Sequence, residues 1–226
     1  MANLVQMKVL EDLDGFLLVD KPAGIAFSTV VKTVRRKFNL TKVGHGGSLD
    51  TMASGLLVLL VNDANKFVDR VMGADRTYTG TMKFGETTDT GDRYGRPVPL
   101  PPRSMSPAEA KGDVFQTEPR FCAVRREGSA DYEVVDTGEH SQFLAHVYRF
   151  DLGGEVEGKG SEFLLSASKG VIVRALAQDL GATLTSLRRI SVGKFDIADA
   201  LPFDKLLETE MKDFAPCVMP LSKALL

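Results

Sequence analysis

Apolar and polar positions divide the chain into short segments. Gly15-Phe16-Leu17-Leu18-Val19-Asp20 reads as a buried strand, ended by Lys21-Pro22-Ala23-Gly24 because proline gives no N–H to a ladder and glycine permits a turn. Val30, Val34 and Phe38 recur at four-residue spacing and predict a helix opening at Ser28 or Thr29, either of which can cap it. Leu56 to Val61 is a second buried run, and Ala64 to Met72 predicts a helix with Phe67, Val68 and Val71 inward. Thr77 to Phe84 alternates, with Tyr78, Met82 and Phe84 on one face and Thr77, Thr79, Thr81 and Lys83 on the other. Tyr78 stands near the end of that strand, a place that suits a cleft residue and a core ring equally.

The next segment, Gly85 to Pro107, holds Thr88-Asp89-Thr90-Gly91-Asp92 and then five prolines, and must be loop. Asp89 and Asp92 are an alternative metal pair, but no further carboxylate or histidine stands close by. Ser106-Pro107-Ala108-Glu109 has the form of a capping box and predicts a short helix running to about Gln116. Arg120 to Glu139 is charged and glycine-containing, an exposed lobe with a basic cluster at Arg120, Arg125 and Arg126. His140 and His146 lack partners at ligand spacing and read as structural. Glu162 to Ser168 is a strand pattern. Ile172, Leu176 and Leu180 then mark a helix that Gly181 ends as its C′ residue. Leu187-Arg188-Arg189-Ile190 closes a further element, and Asp196 to Leu226 is acidic and apolar without a motif.

Length and charge narrow the function. A chain of 226 residues fits one large domain or one domain with an elaborated lobe, and 43% apolar with 26% charged residues is ordinary for a globular protein. The net charge of -2 excludes a protein that is basic all over, so a nucleic-acid partner needs a local patch. One exists: Lys21 to Leu49 carries six Lys/Arg and no Asp or Glu, with Lys32, Arg35, Arg36 and Lys37 on the polar face of the first helix and Lys42 just beyond. A phosphate backbone accounts for this asymmetry, and a solvated helix face is the plainer alternative. Cys122 and Cys217 are far apart without a CxxC companion, which suggests neither disulfide nor zinc. No signal-like or membrane-spanning run is present, so a cytoplasmic protein is expected.

Candidate chemistry gathers in Gly44-His45-Gly46-Gly47-Ser48-Leu49-Asp50-Thr51-Met52-Ala53-Ser54-Gly55, where one carboxylate sits among glycines and small hydroxyl residues beside a histidine. Glycines let another molecule lie against the main chain while the apolar run after them holds Asp50 in place. Arg174, near the start of its helix, opposes the helix dipole, which points to a carboxylate or an anionic ligand as its reason. A lone carboxylate, a tyrosine, an arginine and separate basic patches suit chemistry on an RNA base or sugar, where the nucleotide is drawn from its stack into a pocket. With no metal or redox group in view, acid/base or covalent carboxylate catalysis remains.

Five blocks in order resemble the motifs of the TruB-type pseudouridine synthases of the bacterial, stand-alone kind. They are Leu18 to Gly24, Val43 to Asp50, Phe84 to Asp92, Ser168-Lys169-Gly170 with Arg174 and Asp179-Leu180-Gly181, and Leu187-Arg188-Arg189. The resemblance implies an α+β fold, a mixed, mainly antiparallel sheet flanked by helices, as a single catalytic domain over 1-226 with an RNA-binding insertion at about 95-140; since the sequence stops soon after Leu187-Arg188-Arg189-Ile190, no C-terminal PUA domain is expected. It implies isomerisation of uridine to pseudouridine at position 55 in the TΨC loop of tRNA, with no cofactor, no metal and no guide RNA. A monomer is the default expectation, since no long exposed apolar run is present.

By the same resemblance Asp50 is the catalytic carboxylate, Tyr78 stacks on the base and helps remove the C5 proton, and Arg174 pairs with Asp50. His45 fills the space of the extruded nucleotide, Leu187 lines the pocket, and Lys21, Gly47 and Ile172 are further substrate-binding positions. Lys32, Arg35, Arg36, Lys42, Arg125 and Arg126 are the expected contacts to the RNA backbone. Thr51 stands where the family has proline, and Ile172 where a pocket tyrosine is usual. These departures motivate the alternative of a non-catalytic tRNA-binding or RNA-folding homologue.

Overall fold

The structure, a computed structural model, describes residues 13–100, 105–117, 121–125, 132–136 and 142–224, with only the backbone for 121–125 and 132–136. In chain order the elements are β1 (Gly15–Lys21), α1 (Phe27–Lys37), β2 (Val43–His45), β3 (Ser54–Val61), a 3-10 turn (Asn62–Phe67) leading into α2 (Val68–Met72), and β4 (Arg76–Phe84). Then come β5 (Thr87–Thr88), β6 (Pro97–Val98), β7 (Gly112–Thr117), β8 (Phe121–Arg125), β9 (Tyr132–Asp136), β10 (Gln142–Val156) and β11 (Gly160–Ala167). The rest is α3 (Val173–Asp179), β12 (Ala182–Val192), β13 (Phe195–Asp196), β14 (Leu201–Pro202), α4 (Phe203–Glu208), β15 (Met219–Pro220) and α5 (Leu221–Ala224). These elements form two compact units, one of Met1–Ala74 with Arg189–Leu226 and the other of Asp75–Arg188.

In the first unit β1 and β3 run antiparallel from Gly15↔Val61 to Lys21↔Gly55, and β14 joins β1 in the parallel sense. Phe16, Leu18, Leu56, Val58 and Leu60 share one core with Val71, Val192 and Phe195. Their alternates Leu17, Val19, Leu57, Leu59 and Val61 are equally buried, so this part of the sheet is covered on both faces. That double burial is why both strands read as unbroken apolar runs rather than as alternations.

α1 buries Phe27, Val30 and Val34, the expected stripe continued by Phe38, whose ring stacks on Phe214 with centroids 3.7 Å apart. The helix opens at Phe27, one residue before Ser28. Its cap position, Ala26, makes no side-chain cap bond, so neither Ser28 nor Thr29 has the capping role. The helix expected over Ala64 to Met72 is instead a 3-10 turn followed by five α-helical residues. Asn65 sends its amide to the carbonyls of Leu60 and Asn62, a local bond that tightens the turn.

In the second unit β4, β11, β10 and β7 are successive antiparallel neighbours. β8 and β9 form a separate hairpin within the region of the expected insertion. One expectation fails here: residues Ser106 to Gln116 are not a helix. Glu109 does reach back to the Ser106 N–H at 2.8 Å, but Gly112 takes φ 87 and the chain turns into β7. Val114 and Gln116 face inward and Asp113, Phe115 and Thr117 outward, a two-residue period that outweighs the capping signal.

Candidate active site

Backbone bonds, a ring contact and a close approach at glycine in the first unit present Asp50. His45 ends β2 and Asp50 lies half-buried in the turn that leads to β3. The Ala53 N–H donates to the Asp50 carbonyl at 3.1 Å, and the Gly24 N–H donates to the Thr51 carbonyl at 2.7 Å, joining the loop after β1 to this turn. Gly47, at φ 130, gives its N–H to His45 Nδ1 at 3.3 Å. The His45 ring lies 4.9 Å from that of Phe27. Gly55, at φ 102, lets β3 approach the backbone of Arg189 so closely that a Cβ there would sit 2.3 Å from its carbonyl oxygen.

Two buried cations stand in this part of the molecule. Lys21 is 0% exposed, and its Nζ donates to the carbonyls of Pro22 and Ile25, each at 2.8 Å. Burial lowers its pKa to about 8; the charge of Asp50 opposes that shift and the charge of Arg189 reinforces it. Arg189 is 1% exposed. Its Nε donates to the Leu56 carbonyl at 2.8 Å, its Nη1 to Ser48 at 2.9 Å and its Nη2 to Gly47 at 3.3 Å. Of the residues expected to meet substrate, Gly47 is thus tied into the bonding of the Asp50 loop, and Lys21 into that of the loop after β1. Lys32, Arg35, Arg36 and Lys42 are exposed, and Lys37 is half-buried with its ammonium 5.5 Å from the centroid of the Phe38 ring.

The second unit carries the other expected residues. Tyr78 is buried on β4 opposite Leu165 of β11, and Leu187 is buried on β12. Arg174 lies on α3, 7% exposed, with Nη1 donating to the Thr90 carbonyl at 2.7 Å. The Thr88-to-Asp92 loop is closely tied to that helix: Gln178 Nε2 donates to the Thr88 carbonyl at 3.0 Å, and a Cβ on Gly91 would lie 3.2 Å from the Arg174 carbonyl. Asp89 and Asp92 accept from the N–H groups of Arg96 and Tyr94, so both carboxylates shape the loop. His146 bonds Asp113 at 2.6 Å. Arg120, Arg126 and His140 lie outside the described residues, and of Arg125 only the backbone is described.

Two residues were missed as site candidates. Arg189 appears in the sequence as one of two adjacent arginines, with no local sign that it reaches a loop more than a hundred positions earlier. Gln116 is 0% exposed and exchanges two bonds with Ile172, donating to its carbonyl at 3.1 Å and accepting from its N–H at 3.0 Å. That exchange fixes the cap position of α3 one residue before Arg174's turn. Its place on the inward face of β7 follows from the strand that forms there instead of the expected helix.

Among solved structures, the chain resembles a crystal structure of a Cbf5-Nop10-Gar1 complex, with a TM-score of 0.67 and 25% identity, covering 96% of this chain and 63% of that one. A structure of an H/ACA ribonucleoprotein bound to a substrate RNA containing 2'-deoxyuridine gives a TM-score of 0.62 at 25% identity, over 93% of this chain and 60% of that one. The fold is the α+β fold of the pseudouridine synthases. The chain is 34% identical over 234 residues to the tRNA pseudouridine synthase B of Gluconacetobacter diazotrophicus, spanning 94% of this chain and 76% of that protein. It is 33% identical to the enzyme of the same name from Opitutus terrae, over 95% of each chain. The N-terminal domain of the TruB family pseudouridylate synthases matches residues 35–173, and the chain belongs to that family.

Proposed function

We propose that this protein converts a uridine of tRNA to pseudouridine, at position 55 in the TΨC loop, with Asp50 as the catalytic carboxylate. The observation that carries the reading is the half-exposed Asp50, held in a glycine-rich turn by backbone bonds and buried cations, in a chain of this family. The reaction is an isomerisation: the bond from ribose C1′ to N1 breaks, the uracil rotates, C1′ bonds to C5, the C5 proton leaves and N1 gains one. Asp50 either attacks the ribose or removes a ribose proton while the glycosidic bond breaks. Tyr78 and Arg174 complete the catalytic set on the strength of the resemblance.

The exposed Lys32, Arg35, Arg36 and Lys42 supply phosphate contacts that fix register without reading sequence. His45, Leu187, Ile172, Gly47 and Lys21 belong to the substrate region, Gly47 through the loop that carries Asp50 and Lys21 through the loop after β1. The enzyme acts on the TΨC stem-loop without a guide RNA, as a monomer in the cytoplasm. Among the described residues no helix is long and apolar enough to cross a membrane.

The test is tritium release from tRNA transcripts labelled at uridine C5. Native protein releases tritium, and Asp50→Asn releases none while its tRNA affinity stays within about three-fold of native. Absence of release by the native protein from any tRNA defeats the proposal. The non-catalytic reading, motivated by Thr51 and Ile172, requires the biological effect to survive Asp50→Asn.

A further inference from the structure

We infer that Arg189 is a positioning residue for the proposed reaction, its guanidinium spanning the loop that carries Asp50 and setting where the carboxylate stands; the inference rests on the function proposed above. The three carbonyls it binds bracket Asp50 in sequence: Gly47 and Ser48 precede it and Leu56 follows it. A planar guanidinium can serve acceptors that lie in different directions at fixed geometry, which a lysine ammonium on a flexible stem cannot do. Gly55 makes the span short enough, since a side chain at that position would run into the Arg189 backbone.

The far side of the turn is held separately, through the Gly24 bond to Thr51. Arg189 therefore governs the entry to the Asp50 turn and its exit into β3, and Gly24 the residue directly after Asp50. Holding a turn does not by itself need a buried cation, because neutral donors satisfy carbonyls with less desolvation. The guanidinium shares its surroundings with the Asp50 carboxylate. Lys21, fully buried and sensitive to the charges of both Asp50 and Arg189, places all three in one electrostatic neighbourhood.

The experiment compares native protein, Arg189→Gln and Arg189→Lys by kcat and KM for tritium release, with the folded state of each followed by thermal melting. A displaced carboxylate slows the chemical step and leaves tRNA binding alone. Arg189→Gln is expected to lose about 100-fold in kcat with KM within about two-fold of native. Arg189→Lys keeps the charge but cannot reach both sides of the loop, and is expected to recover part of that loss, ending about ten-fold below native.

If Arg189→Gln does not fold, the folded Arg189→Lys decides alone: a lowered kcat at unchanged KM supports the inference, and native kcat overturns it. Equal losses in kcat and in folded fraction, or failure of both variants to fold, also overturn it by assigning Arg189 to the fold alone. Native protein is assayed first on the same transcripts. Its failure to release tritium would sink the function, whereas release by native and variants alike would sink only the role of Arg189.

Discussion

Lys21 keeps an ammonium where water does not reach, and the two carbonyls it binds offset only part of the lost hydration. Its pKa near 8 in the folded protein, against 10.5 for the unperturbed side chain, sets the sign of a pH effect. Below about 8 both folded and unfolded chains hold the proton, and burial of the charge counts fully against folding. Between 8 and 10.5 the unfolded chain binds more protons than the folded one, so this residue's contribution to stability rises with pH. Native protein should therefore gain on Lys21→Met between pH 7.5 and 10, by about 1 to 2 kcal/mol once partial solvent screening of the charge is included. Urea midpoints of the two proteins at both pH values measure it, and a constant gap would contradict the assignment. Nothing in the motif around Lys21 announced this role: the residue looks like a surface cation before a proline, and only the burial of β1 on both faces removes it from solvent.

Among the elements, those whose periodicity was set by their own core were legible. Val30, Val34 and Phe38 marked α1, and the run from Leu56 to Val61 marked β3, because burial of those side chains decides the local structure. Ser106 to Gln116 was misread because a capping box is a short-range signal of modest energy, while pairing of β7 with β10 satisfies a whole ladder. The register Phe143↔Gln116 is long-range information that no local pattern carries. Asp50 and its glycines were visible as a motif; the bond from Gly24 that shapes the turn was not, since its donor belongs to a different loop.

Gly55→Ala places a Cβ at positive φ against the Arg189 backbone and should cost roughly 2 kcal/mol or more. Gln116→Ala leaves the Ile172 N–H and carbonyl without their buried partner and should cost about 2 kcal/mol. Chemical denaturation tests both, and a loss under about 0.5 kcal/mol in either would show that the backbone relaxes around the change.

For the whole molecule, a net charge of -2 makes the local asymmetry decisive for a polyanionic partner. Arg35 and Arg36 are exposed on α1, so removing both in Arg35→Ala/Arg36→Ala should weaken tRNA binding across sequences and reduce the salt dependence of log Kd by about two. Titrations at several salt concentrations read this directly. An unchanged slope would remove these two residues from the phosphate contacts.

The unit that holds Asp50 is assembled from two distant parts of the chain, Met1–Ala74 and Arg189–Leu226. During translation the Gly47 carbonyl must wait for a guanidinium 142 residues downstream, a delay on the order of ten seconds at ordinary elongation rates. The candidate catalytic turn therefore stays unfinished while the residues from Gly47 to Arg189 are made. A partly made chain would be a poor modifier of the tRNAs crowding around its own synthesis.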